Sequence, residues 1–112
     1  MSNPLVSAIV VTLNRRGDLM EAIESLRQQT YDNIEIIIVD NGSNDGTPQM
    51  VKESFPEVHL VELDRNTGPY HGRNVGAAAS KGDILFFLDD DATMERNSLS
   101  EIVARFGVEE DL

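Results

Sequence analysis

The chain has 112 residues, and its 20 acidic against 9 basic side chains give a formal net charge of -11, which works against any polyanion held by Lys and Arg neutralising phosphates; nucleic acid is not expected as a partner. The length fits one domain with one core and is short for a complete two-substrate enzyme. Zero cysteines exclude a disulfide framework and any thiolate metal site, no apolar run approaches a membrane span, and Met1 to Pro4 lacks a basic-then-apolar leader, so the expectation is a soluble, cytoplasmic protein.

Val6 to Thr12 (VSAIVVT) is β-branched and apolar and predicts a first strand. Leu19, Ile23 and Leu26 then recur at helical spacing behind Asp18, which is read as the N-cap. Ile34 to Val39 (IEIIIV) predicts a second strand, running into the turn-forming cluster Asp40-Asn41-Gly42-Ser43. Thr47-Pro48 supplies a cap and a first-turn proline for a short helix to about Ser54. Val58 to Leu63 is a weaker third strand. Tyr70 to Ser80, rich in alanine, predicts a helix packed closely on the sheet, with Lys81-Gly82-Asp83 as its exit. Ile84 to Leu88 is the fourth strand. Ser98-Leu99-Ser100-Glu101 reads as a capping box ahead of Ile102, Val103 and Phe106 on an amphipathic helix, and the tail Glu109-Glu110-Asp111 is expected to fray. The order βαβαβαβα predicts an α/β fold, a mostly parallel open sheet of about four strands with helices on both faces and right-handed crossovers.

Asp89-Asp90-Asp91 stand directly after the apolar run Ile84-Leu85-Phe86-Phe87-Leu88, which reads as a strand buried on both faces of a parallel sheet. Ligands of open α/β sheets bind outside the carboxyl ends of the strands, and three adjacent acids there repel unless a cation sits among them. The competing reading is a solvated acidic turn capping the next helix, but a turn needs one Asp rather than three. Asp40, ending a strand at the same edge, can accept hydrogen bonds from a ribose hydroxyl or a base imide; its plainer role is an Asx turn. Asn41-Gly42-Ser43 reads as turn alone. Arg73 and His71 can balance phosphate charge or be merely solvated, and His59 reads as structural. Gly68, Gly72 and Gly76, four residues apart, suit close contact of helix and sheet. The turn after strand one has one glycine where a dinucleotide fingerprint needs three, which argues against NAD. Neither Asn41 to Lys52 nor the stretch from Asp89 to Ser100 meets the ligand pattern of an EF-hand.

VVTLNRR at strand one, VDNGSNDGT at strand two and NTGPYHGRNVGAAASKGDILFFLDDDA thereafter make the chain resemble the nucleotide-sugar-binding half of a family-2 glycosyltransferase of the GT-A fold, from about Val6 to beyond Leu99. The resemblance implies that Asp89 and Asp91 are the two ends of a DxD motif holding Mn²⁺ or Mg²⁺ against the donor diphosphate, with Asp91 the more direct ligand. It implies that Asp90 faces the donor's ribose or sugar, that Asp40 contacts the nucleobase, that Arg73 lies near base or phosphate, and that Thr12 sits beside the nucleoside. The donor would be a UDP- or dTDP-type sugar, the transfer metal-assisted and inverting, the setting polysaccharide biosynthesis. The family's catalytic base lies well beyond the DxD, so it is expected beyond Leu112 and no catalytic residue is identified in the chain. Residues 1-112 are expected to be one donor-binding domain, truncated relative to a full catalytic domain and able to bind donor only. A face left uncovered in this way would favour a homodimer.

Two rivals come from other classes. A Mg²⁺-dependent nucleotidyltransferase would also present carboxylates, but its glycine-rich basic loop after strand one is represented only by Arg15, Arg16 and Gly17. A non-catalytic module binding a nucleotide or a partner is the other.

Overall fold

The computed structural model describes the backbone of residues 3–111 and the side chains of residues 3–106. Met1 and Ser2, part of the segment read for a leader, lie outside the described residues, and so does Leu112, the position past which the catalytic base is expected. The elements run β1 (Val6–Thr12), α1 (Arg16–Arg27), β2 (Ile34–Asp40), α2 (Thr47–Ser54), β3 (His59–Glu62), α3 (Pro69–Ala79), β4 (Ile84–Phe87) and α4 (Ser98–Asp111). The strands form one parallel sheet in the order β3-β2-β1-β4. This is the α/β architecture expected from the alternation of elements.

Strand alternation divides the apolar residues between two faces. Val6, Ala8, Val10, Ile36 and Ile38 point to one side and are covered by Leu19, Ile23 and Leu26 of α1, Met50 and Val51 of α2, and Leu99 and Val103 of α4. Ile9, Ile37 and Val39 point to the other, where Val75 and Ala79 of α3 pack. Right-handed crossovers require this split: β1 to β2 to β3 steps one way along the sheet, so α1 and α2 share a face, while β3 to β4 steps back and puts α3 opposite. Each fully buried Leu or Ile contributes about 1.5 to 3 kcal/mol. α3 comes close to the sheet because Gly72 and Gly76 have no side chain; a Cβ there would stand 2.7 Å from Val11 Cγ1 and 2.5 Å from Ile9 Cγ2. Gly68 differs from the spacing argument: a Cβ there would meet nothing, and the residue instead takes φ +89 at the start of α3.

Several ends shift. α1 begins before Asp18, which lies in its first turn, where a negative charge suits the helix dipole. The cap of α2 is Gly46; Thr47 is the first helical residue, and its N–H and hydroxyl donate to Asp45 Oδ1. α4 starts at Ser98, and the Glu101 N–H donates to the Asn97 carbonyl rather than closing the expected box. Its helical backbone continues through Asp111, across the tail expected to fray. β4 corrects a stronger expectation: it is not buried on both faces. It is the end strand of the row and α3 lies over β1 and β2, so Leu85 and Phe87 remain 42% and 43% exposed.

At the amino end of the sheet, Ser7 Oγ donates to Glu35 Oε2 (2.5 Å) and accepts from the Gly82 N–H (2.9 Å), while the Lys81 N–H donates to the same carboxylate (2.6 Å). Burial pushes the Glu35 carboxyl up, but these hydrogen bonds and the nearby charges of Lys81 and His59 outweigh it, so the group sits below its ordinary 4.5. A lowered folded-state pKa adds stability that is present above the ordinary carboxylate range and lost as pH falls through the folded value. Glu35→Gln is therefore expected to cost on the order of 1 kcal/mol at pH 7, and the two proteins to converge as pH falls through the folded value, as read by urea midpoints. Equal stability at pH 7 would remove the network from the account.

Candidate functional site

The order in which strands are added along the sheet reverses between β1 and β4, and in open parallel sheets that switch point opens a crevice at the carboxyl ends. Thr12 closes β1 there, and its hydroxyl donates to Asp90 Oδ2 at 2.9 Å, joining the ends of the two strands. Arg15, at the head of α1, brings Nε to 3.7 Å from Asp90 Oδ1 and Nη1 to 3.9 Å from Asp91 Oδ2. Asp90 is thereby drawn inward, its side chain 15% exposed, while Asp91 at 56% stands in solvent beside Asp89, which is also exposed.

Burial raises the Asp90 pKa above its ordinary 3.8; the Thr12 hydroxyl, the Arg15 charge and the Leu13 N–H offset part of this, and the Asp91 charge adds to it. With a raised pKa the folded chain holds more protons than the unfolded one, so stability falls as pH rises from about the ordinary carboxylate value through the folded value. Asp90→Asn keeps an acceptor for Thr12 and removes the charge. It is expected to raise stability at pH 7 by on the order of 1 kcal/mol, with the gain closing in acid, measured by thermal melts across pH. A lower melting temperature at pH 7 would contradict this electrostatic account.

Asp40 pairs in register with Thr12 at the end of β2 and is only 1% exposed. Its Oδ2 accepts the Ser43 N–H at 3.0 Å, forming an Asx turn, while Oδ1 is buried with no partner among the described residues. The cluster after β2 does more than turn the chain. Asn41 Oδ1 accepts the Thr67 N–H (2.9 Å) and hydroxyl (3.2 Å), and Nδ2 donates to the Gly68 carbonyl (3.1 Å), so Asn41 fastens the loop from which α3 starts. Gly42, at φ +90, lies against the Arg65 and Asn66 backbone. Ser43 Oγ accepts the Asn14 N–H (2.8 Å), and Asn14 Oδ1 accepts the Asn44 N–H (2.8 Å), tying the loops after β1 and β2 together. Asn14 itself has φ 52, a left-handed conformation that asparagine tolerates better than most residues.

Two clefts adjoin here. Arg73, Asp89, Asp90 and Asp91 line one of about 310 Å³ with Phe87 and Leu88. Thr12, Arg15, Asn41, Asn66 and Asp90 line one of about 340 Å³, so Asp90 belongs to both. Asp40 is not among the lining residues of either cleft. His71 is exposed on α3 and lines neither, and His59 is exposed on β3. Arg15 and Asn41 fall in the polar clusters Thr12 to Arg16 and Asp40 to Ser43 that the sequence puts at the strand ends, but their individual roles are not legible there because their partners lie far along the chain.

Among the described residues no three His, Asp or Glu side chains converge on one point to cage a metal. The donor set still suits Mg²⁺ or Mn²⁺, hard ions that take one or two carboxylates and complete their shell with water and phosphate oxygens. No helix among the described residues is long and apolar enough to cross a membrane.

The family described as Glycosyl transferase family 2 matches residues 7–112. An uncharacterized glycosyltransferase of Haemophilus influenzae is 45% identical over 87 residues, covering 78% of this chain and 29% of that protein. Among solved structures, the mannosyltransferase PcManGT from Pyrobaculum calidifontis, in complex with GDP-Man and Mn²⁺, superposes with a TM-score of 0.83 at 31% identity, over 90% of this chain and 32% of the other. S. aureus TarS 1-349 in complex with UDP-GlcNAc superposes with a TM-score of 0.81 at 30% identity, over 88% of this chain and 30% of the other. The chain thus spans about a third of the length of the proteins it matches.

Proposed function

The chain belongs to glycosyl transferase family 2, and on that footing we propose that it forms the donor-binding part of an enzyme that moves a sugar from a nucleoside diphosphate, of UDP or dTDP type, to an acceptor. The observation that carries this reading is the Asp40 carboxylate at the carboxyl end of β2, where one oxygen makes the turn and the other is buried and has no partner among the described residues. A buried acceptor left without a donor costs about 1 to 3 kcal/mol, and the imide N–H of uracil or thymine would supply the missing donor. Thr12 stands beside that position in register and would flank the nucleoside. Arg73, in one cleft with the acidic loop, would meet phosphate charge.

Asp89 and Asp91 would hold the divalent ion, Mn²⁺ or Mg²⁺, and Asp90, tethered to Thr12, would face the ribose or sugar. When bound, such an ion neutralises charge that develops on a departing diphosphate. The family relationship supports metal-assisted transfer with inversion at the anomeric carbon; product stereochemistry by NMR tests that part.

The nucleoside reading is tested by calorimetry with UDP, dTDP, CDP and ATP, each in EDTA and in Mn²⁺. UDP or dTDP is expected to bind at least tenfold tighter than CDP, whose N3 carries no hydrogen, and Asp40→Asn to erase the difference. Equal affinity for UDP and CDP, or a preference for ATP, would overturn the assignment.

A further inference from the structure

Gln29 and Thr30, just past the end of α1, form a polar latch far from the crevice. Gln29 is 9% exposed, yet its amide is engaged on both sides: Nε2 donates to the Ser25 carbonyl (3.1 Å) and the Glu95 carbonyl (2.7 Å), and Oε1 accepts the Leu99 N–H (3.1 Å). The Thr30 N–H donates to the Arg96 carbonyl (2.8 Å), and its hydroxyl lies within hydrogen-bond distance of that same carbonyl (3.3 Å), Asn97 Oδ1 (2.9 Å) and Ser100 Oγ (3.0 Å). Two adjacent residues thus grip the segment 95–100, more than sixty positions away in the chain.

That grip bears on the acidic loop. The Leu88 N–H donates to the Ile9 carbonyl, which pins the loop's beginning to the sheet, and the latch pins its end at Glu95 and Arg96. Asp89 to Met94 span the gap with no helix or strand; a turn from the Ala92 N–H to the Asp89 carbonyl, the contacts of Asp90 and Asp91, and the packing of Met94 against the core hold it between the two anchors. A loop fixed at both ends has few ways to place the residues between, whereas one released at its far end spreads over many. Among the described residues Asp91 has one ion-pair partner, Arg15 at 3.9 Å, so its position follows the backbone of the loop and the anchors at its two ends.

We propose that Gln29 and Thr30 are positioning residues for the acidic loop, fixing from outside the crevice where Asp91 presents its carboxylate to a divalent cation and a diphosphate. The inference rests on the donor-site reading above. A purely structural latch would join α1 to α4 and lower the melting temperature when cut, without touching cation binding in the molecules that remain folded.

Gln29→Met removes the amide contacts of the latch and Thr30→Val its hydroxyl contacts, each at nearly constant volume, while the bond from the Thr30 N–H to the Arg96 carbonyl stays. Each folded variant, checked by circular dichroism at low temperature, is titrated with UDP in EDTA and in Mn²⁺. The expected result is an unchanged affinity in EDTA and a Mn²⁺-linked gain at least tenfold smaller than the parent's. A full Mn²⁺-linked gain in both variants overturns the inference, and so does an equal loss in both buffers. Should Gln29→Met fail to fold, Gln29→Asn, whose amide stands one methylene short of the Glu95 carbonyl and the Leu99 N–H, takes its place beside Thr30→Val. A parent chain that binds UDP without any Mn²⁺-linked gain would instead sink the donor-site reading, and the latch's proposed role with it.

Discussion

Replacing Asp91 by asparagine is expected to remove the Mn²⁺-dependent part of UDP binding, on the order of 100-fold in Kd or about 2.8 kcal/mol, and to leave the ligand-free melting temperature nearly unchanged. Both halves follow from where the residue stands. Its side chain is 56% exposed, and its ion pair with Arg15, at 3.9 Å, is of the surface kind that contributes about 0 to 1 kcal/mol. A hard cation shared with a diphosphate, by contrast, takes only one or two protein carboxylates, so losing one removes a large share of what the protein offers it. Calorimetry in EDTA and in Mn²⁺, paired with thermal melts, separates the two effects. A variant that keeps the parent's metal-linked gain would show that the ion, if bound, is held elsewhere.

Gly42→Ala should be the most damaging single-methyl change near the crevice, with an expected loss of about 3 to 4 kcal/mol in urea unfolding. Two costs add. A left-handed φ of +90 is strained for alanine, by roughly 1 to 2 kcal/mol. The new Cβ would also stand 2.7 Å from the Arg65 carbonyl carbon and 2.8 Å from its Cα, and backbone on both sides leaves little room to yield, which adds about 1 to 3 kcal/mol. A domain of this size has of order 5 to 15 kcal/mol in total, so the variant would keep a native fraction only under mild conditions. In those conditions its UDP affinity is also expected to fall, because the displaced segment is the one Asn41 fastens ahead of α3. A loss under 1 kcal/mol would mean that the 64–68 loop moves aside freely.

The parts of this fold legible in the sequence are those set by local periodicity. VSAIVVT and IEIIIV are flanked by sheet neighbours and covered on both faces, and the spacing of Leu19, Ile23 and Leu26 matches the one buried stripe of α1. What neighbours decide was not legible. ILFFL has the composition of a central strand, yet β4 is the last in the row, and no feature of the run itself could say so. The acidic triplet could be singled out because like charges at a strand end are unusual on physical grounds. Asn41, Arg15 and Gln29 could not, since each draws its meaning from partners more than twenty residues away and carries no pattern of its own. Asp40 pointed two ways in the sequence, to a turn and to a ligand. Its two oxygens divide in the same manner, one occupied by Ser43 and one without a partner among the described residues.

The uneven cladding of the sheet has a consequence for how the molecule breathes. Among the described residues three helices bury one side and α3 alone shields the other, and its glycines at 72 and 76 lend it proximity without apolar area. It is therefore a separate unit of partial opening, and its amide protons should exchange ahead of those in α1, which buries Leu19, Ala22, Ile23 and Leu26. Because Arg73 rides on α3, one wall of the crevice can come and go while the strands beneath it stay paired, and an occupant that bridges α3 to the acidic loop would slow that exchange.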